Sequence, residues 1–202
     1  RDVTLLGQNV NSYRSGDNDF ADLLRACAIA APEMRIRFTT SHPQDLSLKL
    51  IETIAEYDNL CNYIHLPVQS GSNRILDLMK REYTVGHYLS IMNSIKKIIP
   101  DVSLSTDIIT GFCTETEDDH RMTLELMKEV EFDGAYMFIY SPREKTKAWI
   151  MKDDIDEMTK TRRLVEIVEL QRDISEKKNL LTVGRDFEIV IEGISKKSDK
   201  ML

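Results

Sequence analysis

Short apolar runs alternate with amphipathic stretches along most of the chain. The apolar runs are nearly continuous, which predicts strands at residues 3–6, 35–40, 63–68, 102–112 and 135–140. Between them, apolar residues recur at intervals of three and four, which predicts helices near residues 20–27, 48–55, 75–79, 88–99 and 122–130. A longer helix is predicted at residues 157–180, and a last strand at residues 187–191.

This alternation predicts an α/β fold built on a parallel sheet with crossover helices. Polar side chains cluster directly after the predicted strands, and in a barrel-like α/β fold the carboxyl ends of the strands form the ligand site. Each polar residue alone is equally well explained as a helix cap or turn residue, so the hypothesis depends on the repetition. The clusters are "GQNVN" at residues 7–11, Ser41/His42, Gln69/Ser70, Thr110/Glu115 and Ser141/Arg143.

The net charge of the chain excludes one class of binding partner, nucleic acid held over the whole surface. The 202 residues carry a net charge of −7, which is not the balance of a protein that holds nucleic acid over its whole surface. Residues 160–202 nevertheless sum to +2, with ten Lys/Arg against eight Asp/Glu, and the remainder sums to −9. An RNA contact is therefore expected toward the C-terminal end or outside this chain. No apolar run is long enough to predict a membrane span.

The sequence lacks the common catalytic and metal-binding motifs. It has no GxGxxG fingerprint, no P-loop and no nucleophile elbow. Its three cysteines lie far apart, so we expect no metal site in this chain and reduced, partly buried thiols. His42 and His65 are candidates to face a site, whereas His87 and His120 are expected on helix surfaces.

Five stretches, taken together and in this order, resemble the radical SAM methylthiotransferases. They span almost the whole chain, and the first of them, with "VIEGISKKSDK" at residues 190–200, looks most like the branch of the family that modifies tRNA. The five are "LLGQNVNSY" (5–13), "RFTTSHP" (37–43), "HLPVQSGSNRILDLMKREYT" (65–84), "STDIITGFCTETEDD" (105–119) and "FIYSPREKT" (138–146).

The resemblance implies a partial TIM-type radical SAM barrel followed by a small RNA-binding β-barrel, the TRAM domain. On this reading residues 1–183 are the barrel core, without its first strand and the CxxxCxxC loop that follows it. Residues 184–202 are then the start of a truncated TRAM domain, whose first strand is the one predicted at residues 187–191. The chain is accordingly expected to be a fragment that is inactive alone.

The resemblance also implies the chemistry. The family uses S-adenosyl-L-methionine and, in the full-length enzyme, two [4Fe–4S] clusters, none of which this chain is expected to bind. The tRNA branch adds a methylthio group to C2 of N6-isopentenyladenosine next to the anticodon, which implies tRNA and an electron donor as partners and a cytoplasmic location. Two alternatives stay open: a sister enzyme acting on a ribosomal protein or another tRNA base, and a non-catalytic barrel that binds S-adenosylmethionine or RNA. The oligomeric state is left open.

Ten residues would hold S-adenosylmethionine if the family's contacts carry over. Amide groups suit the methionyl end, a guanidinium suits its carboxylate, and a carboxylate suits the ribose hydroxyls. Arg81 could instead be a cation at a helix end, Asp107 a buried acid paired with a neighbouring Arg or Lys, and Phe138 simple core. The ten are Gln8, Asn11, Ser41, Gln69, Ser70, Arg81, Ser105, Asp107, Gly111 and Phe138.

Two further features concern the loops. Lys196 and Lys197 would touch tRNA phosphates in an intact TRAM domain, or form a plain solvated turn in this chain. The family usually reads "GFPGET" where this sequence reads "GFCTET", with Cys113 and Thr114 in place of Pro and Gly. The tight turn after Gly111 is therefore in question, because Gly favours turn conformations that other residues resist.

Overall fold

The computed structural model describes residues 2–39, 41–142, 144, 147–187 and 189. The strands among these residues are β1 (Asp2–Leu5), β2 (Arg14–Ser15), β3 (Asn18–Asp19), β4 (Arg35–Phe38), β5 (Tyr63–His65), β6 (Ser103–Thr110) and β7 (Gly134–Ile139). The α-helices are α1 (Phe20–Ala30), α2 (Leu48–Glu56), α3 (Asn73–Leu78), α4 (Val85–Ile98), α5 (Glu117–Val130) and α6 (Glu157–Leu180). Short 3-10 helices lie at Val10–Ser12, Pro43–Asp45 and Lys147–Ile150.

Parallel pairing organises the longer strands. β1 pairs with β4, and β6 lies between β5 and β7 in a second parallel sheet. A parallel bridge between Ile36 and Leu60 connects β4 to the segment that leads into β5. β2 and β3 form a small antiparallel hairpin around Gly16, which the periodicity did not predict. The predicted α/β class with parallel strands and crossover helices is confirmed in the described part of the chain.

The two faces of the sheet differ in polarity. Ile36, Phe38, Ile64, Leu104 and Ile108 are at most 3% exposed and belong to the main hydrophobic core. Because successive side chains of a strand point to opposite faces, the alternate positions share the other face. Apart from Ile109 on β6, those positions carry polar or charged groups, so the strands are not the uniformly apolar runs that the sequence suggested. They are Arg35 and Arg37 on β4, Tyr63 and His65 on β5, and Ser105 and Asp107 on β6.

The predicted helices are confirmed, and local chemistry explains most differences at the ends. The long helix has the predicted bounds of 157 and 180. α5 begins at Glu117, earlier than the apolar pattern suggested, because Thr116 and Asp119 form a capping box. β5 ends at His65, three residues earlier than predicted, since Pro67 cannot donate a hydrogen bond to a neighbouring strand. The chain rejoins β6 through a bridge between Gln69 and Ile108.

The prediction that His120 lies on a helix surface was wrong. Its side chain is only 3% exposed, and its Nε2 atom lies 2.8 Å from Oε2 of Glu166 on α6. The helix periodicity of α5 could not reveal this burial, because α6 follows much later in the sequence and covers that face. His87 is exposed, as expected.

Some predictions fall outside the described residues. Lys196 and Lys197, and most of the strand expected at residues 187–191, belong to this group. The division into residues 1–183 and a TRAM segment at 184–202 also stays a prediction. Among the described residues, no helix is both long enough and apolar enough to cross a membrane.

Candidate functional site

A cavity of about 720 Å³ opens at the carboxyl ends of β6 and β7. Its polar lining includes Gln69, Arg81, Asp107 and Ser141. Its apolar lining is supplied by the end of α3, by β6 and β7 and by the turns after them, namely Leu78, Met79, Ile109, Phe112, Phe138, Ile139, Tyr140 and Ala148. The cavity therefore lies at strand ends, and two of the five polar clusters singled out in the sequence contribute to its lining, through Gln69 and Ser141.

Asp107 is the acidic group of the cavity. It lies on β6, its side chain is 27% exposed, and its Oδ1 atom is 3.4 Å from Nε2 of His65 on β5. Burial raises the pKa of Asp107, and this rise is opposed by His65 when that ring is protonated and by the positive charge of Arg81. The expected alternative partner, an Arg or Lys in contact, is replaced here by a histidine. Asp107 is thus a half-buried acceptor that faces the cavity.

The turn at Gln69 links the cavity wall to the sheet. Its backbone is in the left-handed region, with φ of 71°, and is held on both sides by β6. The Gln69 N–H donates to the carbonyl of Asp107 over 2.9 Å, and its carbonyl accepts from Ile109 N–H over 2.9 Å. A non-glycine residue in this region costs about 1–3 kcal/mol and persists only where its surroundings enforce it, and such residues concentrate at ligand sites.

Aromatic rings form the other end of the cavity. Phe112 and Tyr140 meet edge to face with their ring centroids 4.7 Å apart. Phe138, on β7, is 52% exposed and lines the same cavity. An exposed aromatic side chain that lines the same cavity as this pair offers a flat surface on which a planar ligand group can stack.

The turn that carries Phe112 is held by a buried ion pair. The carboxylate of Glu115 accepts a hydrogen bond of 2.7 Å from Gly111 N–H and one of 2.9 Å from Arg163 on α6. Both charged side chains are at most 3% exposed. Burial raises the pKa of Glu115, opposed by the Gly111 N–H group and by Arg163. The "GFCTET" segment does form a tight turn, in which Thr114 takes the left-handed conformation (φ 64°).

Gly111 is required by packing at this turn. Its φ is +73°, and a Cβ atom there would lie 2.5 Å from Cγ of Lys160, whose side chain is 1% exposed. Lys160 itself is fixed by an ion pair of 2.6 Å with Asp153. The side on which a residue at 111 would project is therefore filled by protein.

Replacing Gly111 by alanine should lower the free energy of unfolding by about 1–3 kcal/mol, from backbone strain and the clash with Lys160. Gly134→Ala is the matched control, because nothing lies within 4 Å of its added Cβ. Urea denaturation followed by circular dichroism measures both. Equal stability of the two variants would contradict this explanation.

Of the remaining residues predicted to bind the ligand, Asn11, Ser70 and Ser105 make protein contacts instead. The Asn11 side chain donates to His42 O and accepts from His42 N–H, each over 3.0 Å, and is 2% exposed. Ser70 is fully buried and its Oγ accepts from Ser72 N–H. Ser105 Oγ contacts Tyr63 and His65. Ser41 is buried with an Oγ atom that has no hydrogen-bond partner, and Gln8 is exposed.

Sequence reasoning missed several residues of the cavity wall. Phe112, Leu78 and Met79 were not predicted to take part, although each lies within a motif that was singled out. Their apolar character made them indistinguishable from core residues. His65 was only a candidate, and its contact with Asp107 shows its place beside the site.

Residues 1–127 match the family model of the radical SAM superfamily. The chain belongs to the radical SAM superfamily. Two solved structures share the fold: coproporphyrinogen III oxidase from Escherichia coli, with a TM-score of 0.66 and 18% identity, and methylornithine synthase, with a TM-score of 0.60 and 14% identity. Each comparison covers 86% of this chain, and 41% and 48% of those chains respectively.

Curated relatives of this radical SAM chain are considerably more similar in sequence. Proteins named tRNA-2-methylthio-N(6)-dimethylallyladenosine synthase are 52% identical in Azobacteroides pseudotrichonymphae genomovar. CFP2, 53% in Chlorobaculum tepidum and 51% in Bacteroides thetaiotaomicron. Each match covers 100% of this chain but 46% of the relative. The chain thus spans about half the length of the curated relatives that it matches.

The residues of this radical SAM cavity are chemically suited to S-adenosylmethionine. Its volume of about 720 Å³ lies in the range of small-molecule sites. A carboxylate at Asp107, a guanidinium at Arg81 and aromatic carbon at Phe138 match the hydroxyl, carboxylate and adenine groups of such a ligand. For an iron–sulfur cluster the result differs: within the described ranges, no group of three or more His, Cys, Asp or Glu side chains could hold a metal ion.

Proposed function

We propose that this chain is the S-adenosylmethionine-binding part of a radical SAM methylthiotransferase that adds a methylthio group to C2 of N6-isopentenyladenosine in tRNA. The observation that carries the proposal is the cavity, which combines an acid, a guanidinium and aromatic rings at the carboxyl ends of a parallel sheet. The names of the relatives, at 51–53% identity over the chain, supply the reaction.

The proposal assigns a role to each group of the cavity. Asp107 accepts hydrogen bonds from the ribose hydroxyls, and Arg81 binds the methionyl carboxylate by two-point hydrogen bonding. Phe138 stacks on the adenine ring. Gln69, whose backbone is held by β6, presents its amide to the same ligand. These four face one cavity, which is why we place them in direct contact.

The other residues of the predicted set act behind these contacts. Ser70 and Gly111 lie in the turns that carry Gln69 and Phe112. Ser105 contacts side chains next to Asp107. Asn11 joins the first loop to His42 through hydrogen bonds. Ser41, with its unpaired buried hydroxyl, and Gln8 stay candidates for the methionyl end. Lys196 and Lys197 are proposed tRNA contacts in a TRAM domain.

When bound, S-adenosylmethionine would supply both the radical that activates C2 and the methyl group. We propose that two [4Fe–4S] clusters are bound outside this chain, because its cysteines lie far apart and form no CxxxCxxC motif. The residues described here orient the nucleoside and exclude water from it. The full proposal includes a partial barrel over residues 1–183, the start of a TRAM barrel at 184–202, an external electron donor and a cytoplasmic location.

The substrate is tested with the full-length protein. It would be expressed in a bacterium that lacks the methylthio modification, and total tRNA would be digested to nucleosides for mass spectrometry. We expect 2-methylthio-N6-isopentenyladenosine to appear, and to stay absent with an Arg81→Ala, Asp107→Ala double variant. If active protein leaves tRNA unmodified, a ribosomal protein or another base becomes the substrate to search for. Calorimetry with S-adenosylmethionine separates two causes of such a failure. If the protein binds it, the substrate assignment is wrong; if it does not, the role proposed for the cavity is wrong.

A further inference from the structure

A chain of hydrogen-bonding side chains runs along the polar face of β5 and β6 and ends at the cavity. Tyr63 Oη lies 2.6 Å from Ser105 Oγ, and Ser105 Oγ lies 2.9 Å from Nδ1 of His65. On its other side, His65 Nε2 lies 3.4 Å from Asp107 Oδ1, a long contact of the kind that tightens when a ligand binds. Only Asp107, the last member, lines the cavity.

Geometry alone leaves the donor in these contacts open, and we assign it from the chemistry of Asp107. An ionised carboxylate only accepts, so the neutral His65 ring carries its proton on Nε2 and directs it at Asp107. Nδ1 of His65 must then accept from the Ser105 hydroxyl, which in turn accepts from the Tyr63 hydroxyl. All donors therefore point toward the cavity, and Asp107 keeps its remaining lone pairs for a ligand.

The surroundings of His65 keep this arrangement. The side chain is 13% exposed, and the ring of Tyr136 on β7 packs edge to face against it at 5.7 Å. Burial lowers the pKa of His65, opposed by the negative charge of Asp107, so the neutral ring persists at neutral pH. The ionisable groups next to it are Tyr63 on its own strand, Asp107, and Tyr136, with Arg81 acting on Asp107.

We propose that His65 is a positioning residue, which together with Ser105 and Tyr63 holds the Asp107 carboxylate as a fixed acceptor for a ligand that presents a vicinal diol, as ribose does. The proposal rests on the proposed function for the identity of the ligand. It goes beyond that function because none of Tyr63, Ser105 and His65 needs to touch the ligand. Such an arrangement raises the affinity for ligands with the diol and not for ligands without it, because only groups that donate to the fixed acceptor gain binding free energy from it.

The test compares two ligands that differ only in the diol: 5′-methylthioadenosine and its 2′,3′-dideoxy counterpart. Calorimetry on the full-length protein should show a preference of about 30-fold for the diol, the size expected for hydrogen bonds to a charged group. His65→Phe should reduce this preference to within about 3-fold while changing the affinity for the dideoxy ligand by less than about 2-fold. His65→Gln, which retains a donor near Asp107, should restore part of it.

Tyr136→Phe is the matched control, because it keeps the ring that packs on His65 and removes a hydroxyl outside the chain. It should keep the full preference. Ser105→Ala and Tyr63→Phe should each lower the preference in the same direction as His65→Phe, which keeps the test decisive if His65→Phe folds poorly by thermal denaturation.

The outcomes separate this inference from the proposed function. A diol preference that survives in His65→Phe overturns the inference and leaves the proposed function intact. Binding of both ligands without any preference overturns the inference together with the role that the proposed function gives to Asp107, and leaves the roles of Arg81 and Phe138 intact. Failure of the wild-type protein to bind either ligand, or S-adenosylmethionine itself, overturns the proposed function and this inference together.

Discussion

Arg163→Ala should destabilise the protein by about 3–5 kcal/mol, the cost of leaving one partner of a buried ion pair alone. Arg163 donates to both the carbonyl and the carboxylate of Glu115, over 3.0 and 2.9 Å, and to Glu117 over 2.7 Å. Without the guanidinium, the Glu115 carboxylate stays buried with Gly111 N–H as its nearest donor. Urea denaturation at pH 7 measures the loss.

Arg162→Ala is the matched control, because the neighbouring Arg162 has the same side chain and also pairs with Glu117 but is exposed to solvent. Arg162 also pairs with Glu117, but its side chain is 46% exposed, so its removal should cost less than about 1 kcal/mol. If the two variants lose the same stability, burial is not what gives the Arg163 pair its importance.

The Arg163 variant should also respond to pH in a defined direction. Burial raises the pKa of Glu115 in the wild type, and removing Arg163 should raise it further. A group whose folded-state pKa lies above its unfolded value destabilises the folded state where it is ionised, and this cost falls as the pH drops and the group is protonated. The difference from wild type should therefore shrink as the pH is lowered from neutral toward the ordinary pKa of a glutamic acid. A constant difference would argue that Arg163 acts mainly through its contacts with Glu117.

Local sequence patterns were sufficient to predict those elements in which apolar residues recur at a regular interval. The 24-residue helix α6 could be read to its ends, because its apolar positions persist over many turns. The alternation of side chains along a strand likewise puts Asp107 and Ile109 on one face of β6, and both line the cavity. The strand predicted at residues 63–68 was expected to be broken by Pro67, and β5 ends at His65, two residues before that proline.

Contacts between distant segments could not be read in this way. Asn11 was expected at the ligand, but its amide binds the backbone of His42, 31 residues further along. His120 is covered by a helix that begins 37 residues after it. Such pairings depend on how the elements pack, which periodicity does not describe. The resemblance to a family located the motifs, while the structure divides them into residues that face the cavity and residues that support it.

Asp107→Ala should weaken binding of S-adenosylmethionine by roughly 10- to 150-fold, which corresponds to about 1.5–3 kcal/mol for hydrogen bonds to a charged acceptor. Asp107 is the acid that lines the cavity beside Arg81, and its orientation is maintained by His65. Asp107→Asn keeps the shape and one acceptor oxygen, so it should lose only part of the affinity. Calorimetry with the full-length protein gives all three values.

The control for this prediction is Asp101→Ala, which removes an acid of the same type whose side chain is 83% exposed before the start of β6. It should bind S-adenosylmethionine as the wild type does, which would show that the loss of one negative charge does not by itself weaken binding. An affinity of Asp107→Ala within about 3-fold of wild type would place the ribose away from β6, because a lost charge-assisted hydrogen bond costs more than that. Arg81 and Phe138 would then have to hold the ligand in another orientation within the same cavity.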